Sequence, residues 1–124
     1  MTTVTERLEL VKHRMAEACS RAGRKEDEVK LVTVSKTKGP EVVAEAAACG
    51  IVIFGENKVQ EAKAKIPLCP GHLLWHLVGH LQRNKVNAAV SLFDMIHSVD
   101  SLKLLETIDR ACDEFGKTMK VLIE

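Results

Sequence analysis

Apolar positions along the chain switch between helical spacing and short continuous runs. Leu8, Val11, Met15, Ala18 and Ala22 recur every three or four residues, which places them on one helix face. Thr3 and Glu6 have the spacing of a capping box before that helix, and Gly23 supplies a stop after it. A charged connector, Arg24 to Glu28, leads into Leu31-Val32-Thr33-Val34-Ser35-Lys36. That run reads as a buried strand with Lys36 at its last position. Pro40 opens a helix through Val43 and Ala47, and Gly50 ends it, the order expected of proline and glycine at helix termini. Ile51-Val52-Ile53-Phe54 predicts a second buried strand, Gly55-Glu56-Asn57 a loop, and about Lys58 to Lys65 a helix. Pro67 and Pro70 frame a loop before a strand from Leu73 to Val78. A helix from about Gln82 to Leu92 and a short strand, Met95 to His97, follow. Asp100 or Ser98 then caps a helix carrying Leu102, Leu105, Ile108, Cys112 and Phe115, stopped by Gly116, before a last strand from Met119 to Ile123.

Five apolar strands alternating with helices predict an α/β fold with a parallel sheet. The chain shows no linker, low-complexity tract or second domain. A closed (β/α) barrel takes about 250 residues, so 124 residues suffice for roughly half of one. The pattern therefore leaves two architectures, a small open sheet or a truncated barrel.

Composition narrows the class. The chain is 46% hydrophobic and 28% charged, with a formal net charge of +1; that describes one soluble core and no global drive toward nucleic acid or anionic membranes. No apolar stretch approaches the ~20 residues of a membrane span. The amino terminus lacks a basic head followed by an apolar segment, so no secretory signal is expected and a cytoplasmic location is. Cys19, Cys49, Cys69 and Cys112 are scattered without a C-x-x-C pair, which favours reduced thiols over disulfides.

The candidate chemistry gathers at strand ends, where α/β folds place it. A lysine at the end of a buried strand threads its stem through an apolar collar. Desolvation there favours the neutral, nucleophilic amine needed for a Schiff base with a carbonyl compound; alternatively, Lys36 merely marks where the strand meets water. The second strand ends in Phe54-Gly55-Glu56-Asn57, where Gly55 permits a turn or a close approach and Asn57 offers both donor and acceptor. The third ends in Trp75-His76-Leu77-Val78-Gly79-His80-Leu81-Gln82-Arg83-Asn84-Lys85, crowding imidazoles and polar side chains at one junction. Three successive strands ending in polar clusters is what a shared pocket at one rim requires. His72, His76 and His80 suggest a zinc site if helical. In a strand, however, His76 and His80 lie about 13 Å apart, too far to share a metal. The cations Lys38, Lys58, Arg83 and Lys85 read as a solvated rim. Neither a G-x-G-x-x-G nor a P-loop motif is present.

Taken together, Val34-Ser35-Lys36-Thr37-Lys38, Phe54-Gly55-Glu56-Asn57 with Val59-Gln60-Glu61, and the Trp75 to Lys85 run closely resemble the pyridoxal phosphate (PLP) homeostasis family, the YggS type. The resemblance extends over essentially the whole chain. It implies a parallel (β/α) barrel of the TIM type, fold type III and similar to the barrel of alanine racemase. About five of its eight strands lie here, so residues 1–124 would be the N-terminal part of a single PLP-binding barrel domain. It further implies that Lys36 carries PLP as a Schiff base and that Asn57, His76, Gly79, His80, Gln82, Asn84 and Lys85 line the cofactor site. The implied role is intracellular PLP homeostasis without enzymatic turnover, with PLP-dependent apoenzymes as recipients and no nucleic-acid, membrane or metal partner. Racemases of this fold use a tyrosine from a second domain as an acid/base partner, and this chain contains no tyrosine. A carrier therefore fits better than a racemase-like enzyme. The strands that grip the cofactor phosphate belong to the family's C-terminal half. Their lack predicts weak PLP binding and self-association of the partial barrel. The alternative is a half-barrel acting only as an assembly or interaction module, with a vestigial site.

Overall fold

The computed structural model describes residues 3–124. Five helices and five strands alternate: α1 (Val4–Ala22), β1 (Thr33–Val34), α2 (Pro40–Ala48), β2 (Ile53–Glu56), α3 (Val59–Lys65), β3 (Leu74–Leu77), α4 (Val86–Leu92), β4 (Met95–Val99), α5 (Leu102–Phe115) and β5 (Lys120–Ile123). The strands form one parallel sheet in chain order. The short crossovers through amphipathic helices dictate this order, because each helix packs back on the strand it leaves.

Register fixes which residues share a face. Thr33, Phe54 and Trp75 are partners, as are Glu56, Leu77 and Ile96, and these rows turn toward the helices. Phe54, Trp75, Leu77 and Ile96 are buried against Val43, Ala62, Val86, Val90, Leu104 and Ile108. Phe54 and Trp75 stack obliquely, with ring centroids 5.6 Å apart. Full burial of a side chain of this size contributes about 1.5–3 kcal/mol. The opposite face carries the row Val34, Gly55, His76, Met95 and Lys120. It is only partly covered: Val34, Leu74 and Leu122 remain exposed.

Several expected boundaries hold. Thr3 caps α1 in a reciprocal capping box with Glu6, Gly23 closes it in the left-handed conformation, Pro40 opens α2, and Gly116 ends α5. Others move. The first strand is two residues long, and Lys36 lies beyond it, exposed in a turn, so no apolar collar surrounds its stem. β2 starts later than expected and runs through Gly55 and Glu56, which belong to the strand and not to a loop. Pro67 sits in a 3-10 turn, Ile66–Leu68, that extends α3. The expected helix at Gln82 begins as a 3-10 turn, Arg83–Lys85, before α4. β4 continues to Val99 and takes in Ser98, so the cap of α5 is neither Ser98 nor Asp100 but Ser101, which accepts from the Leu104 amide at 3.1 Å.

Candidate functional site

The carboxyl ends of β1, β2 and β3 lie side by side, and the sequence-selected residues follow them. Lys36 stands two residues past Val34, Asn57 two past Gly55, and Val78 two past His76, extending one register row. The ladder itself continues beyond the strands, because Ser35 donates to the Gly55 carbonyl at 2.9 Å and Val78 to the Glu56 carbonyl at 2.9 Å. Among the described residues, no hydrogen bond or ion pair engages the Lys36 side chain. Its amine is open to a reactant.

Gly79 presses on the chain at Asn57. A methyl group added to Gly79 would come within 2.9 Å of the Asn57 Cα and carbonyl carbon, so only glycine lets the two loops touch. Asn57, His80, Gln82 and Lys85, together with Lys58 and Gln60, line a cleft of about 290 Å³. Lys85 reaches across it to Gln60 at 3.4 Å. His80 is exposed, 3.6 Å from the Asp100 carboxylate. Asn84 does not line this cleft; it borders a separate, open depression with Gln82, Arg83 and Thr107.

His76 behaves differently. It lies half-buried on the open face of β3, with its Nδ1 2.9 Å from Nε2 of His97 on β4. Burial, followed by the neighbouring His97, holds the His76 imidazole below its ordinary range, so the neutral ring is favoured. Two imidazoles at this separation share one proton between their facing nitrogens. Among the described residues no three His, Cys, Asp or Glu side chains converge as metal ligands.

The sequence did not reveal a buried polar cluster beneath the Lys36 turn. Glu56 is fully buried and Lys65 is 6% exposed. The Lys65 ammonium lies 3.1 Å from both Glu56 oxygens and donates to the Ser35 carbonyl at 2.7 Å. Ser35 Oγ donates to the same Glu56 carboxylate. Glu61, on the next turn of α3, accepts from the Thr37 amide at 2.8 Å and lies 3.3 Å from Lys65. The hydrogen bond from Thr37, with Lys65 alongside, holds the Glu61 carboxyl below the usual carboxylate range. A signal did exist: Lys65 follows Ala62 at helical spacing on the apolar side of α3. A lysine there requires an internal carboxylate.

The chain matches the family profile described as alanine racemase, N-terminal domain, over residues 7–124. It is 41% identical over 120 residues to the pyridoxal phosphate homeostasis protein of Aquifex aeolicus, covering 96% of this chain and 53% of that protein. It is 43% identical over 98 residues to the protein of the same name from Helicobacter pylori, covering 77% and 44%. Among solved structures, PipY of Synechococcus elongatus with PLP bound superposes with a TM-score of 0.73 at 44% identity, over 86% of this chain and 52% of that one. An unknown protein from Bifidobacterium adolescentis superposes with a TM-score of 0.87 at 33% identity, over 95% and 53%. The chain thus spans about half the length of the relatives it matches. With nearly all of its residues inside the matched profile and the same parallel βα order, it belongs to the alanine racemase N-terminal domain family.

Proposed function

We propose that this chain is the first part of a (β/α) barrel that binds pyridoxal 5′-phosphate for intracellular cofactor homeostasis and holds it on Lys36. The observation that carries the reading is the position of Lys36: an exposed primary amine, without a partner among the described residues, on the turn after β1 at the carboxyl rim of a parallel sheet. It does not itself line the polar cleft of Asn57, His80, Gln82 and Lys85. When bound, PLP would supply an aldehyde, and the Lys36 amine would be the group that holds it covalently, with loss of water. The cleft residues supply suitable donors: the amides of Asn57 and Gln82, the His80 ring and the Lys85 ammonium. His76, paired with His97, lies on the same sheet, on the face that carries Val34 and Gly55. The relatives named for PLP homeostasis, and the PLP-bound PipY, support the cofactor assignment.

A carrier role is favoured over turnover. The relatives that support the reading are named for PLP homeostasis and not for turnover of a substrate. Delivery to PLP-dependent apoenzymes in the cytoplasm is the corresponding role. On addition of PLP, the chain should develop the near-visible absorption of a Schiff base, and borohydride should abolish that absorption. Lys36→Ala should show neither change; an unaltered band in that variant sinks the reading.

A further inference from the structure

We propose that Glu61, working with the buried Glu56–Lys65 pair, is a positioning residue that sets the turn on which Lys36 is carried; the proposal rests on the reading of Lys36 as the PLP-bearing lysine. Both neighbours of Lys36 are clamped from below. The Ser35 carbonyl accepts from Lys65 at 2.7 Å, and the Ser35 hydroxyl donates to Glu56. The Thr37 amide donates to Glu61 at 2.8 Å. Lys65 links the two carboxylates, at 3.1 Å from Glu56 and 3.3 Å from Glu61. Thr37 is the single described non-glycine residue with positive φ, at 63°. A β-branched residue adopts that left-handed conformation only where its surroundings over-determine it, and the hydrogen bond to Glu61 is what holds the Thr37 amide in place.

A buried ion pair is poor value as a stabiliser, because desolvation of the two charges offsets their attraction. Here the pair ends on the residues flanking one exposed amine, which makes sense if it fixes a direction. With Ser35 and Thr37 both held, Lys36 leaves the turn at a set angle toward the rim, and its loss of freedom is met at folding and not at binding.

Glu61 is half-buried at the network's edge, so removing it leaves Lys65 paired with Glu56 and the fold intact. In Glu61→Ala, exchange of the Thr37 amide should speed up about tenfold or more, the scale of one charge-assisted hydrogen bond. Borohydride fixation of PLP at Lys36 should slow several-fold, with the urea midpoint nearly unmoved. Glu61→Gln keeps an oxygen that accepts from Thr37 and should restore most of both. Wild-type exchange and labelling in Glu61→Ala, or a Glu61→Gln variant as impaired as the alanine one, overturns the positioning role. Persistence of the label in Lys36→Ala overturns the underlying reading of Lys36, and the role with it.

Discussion

Gly79 shows how a single residue holds the candidate rim together. Its missing side chain is what lets the loop after β3 rest on the Asn57 backbone, so Gly79→Ala must push the two loops apart. We expect a loss of about 1–3 kcal/mol, the usual cost of overpacking, read from urea unfolding. Gly71→Ala, where an added methyl meets nothing within 4 Å, should be near neutral. His76 makes a pH-dependent contribution. Its folded-state value is lowered from 6.5, so below about that pH the unfolded chain binds the extra proton more readily than the folded one. Its contribution is therefore whole above that value and is lost as pH falls through it. The stability gap between pH 7.5 and pH 5.5 should narrow in His76→Gln; an unchanged gap contradicts a depressed His76. Both residues were legible in the sequence as members of one strand-end cluster. The partnership of His76 with His97 was not, because it joins strands through a register that no local pattern encodes.

At the scale of elements, helix termini marked by local chemistry were readable, as with the starts at Thr3 and Pro40 and the stop at Gly116. Strand ends were not. Glu56 reads as loop because a carboxylate rarely enters a core; Lys65, nine residues on, and the Ser35 hydroxyl make that burial tolerable. Lys65→Met should therefore cost about 3–5 kcal/mol by stranding Glu56, with much of the loss recovered when Glu56→Leu is added. Equal destabilisation in the single and double variants would mean the pair is not the unit described. The end of β4 differs from the sequence expectation because Ser98 resembles a cap but is buried, its hydroxyl without a partner among the described residues. Ser101→Ala should cost about 1 kcal/mol as a lost N-cap, whereas Ser98→Ala should be neutral or mildly stabilising. The thermal midpoints of the two variants separate these outcomes.

For the whole molecule, the sequence conveyed the parallel βα order but not how much of each sheet face is covered. The exposed Val34, Leu74 and Leu122 lie on a face that a closed barrel would bury, and β1 and β5 are unpaired edges among the described residues. Open edges with apolar flanks favour association. The 124-residue chain should self-associate at micromolar concentration by light scattering, and a clean monomer across that range would count against an incomplete barrel. On the proposal that the chain is the first part of a (β/α) barrel, its PLP binding should be weak and readily reversed and should tighten when a segment supplying further strands is added. The proposed function depends on Lys36 being the residue that holds PLP. The most direct test is to add PLP, reduce with borohydride and map the fixed adduct over every lysine by mass spectrometry. The account predicts an adduct concentrated on Lys36; one spread evenly over the surface lysines, or concentrated on another residue, would contradict it.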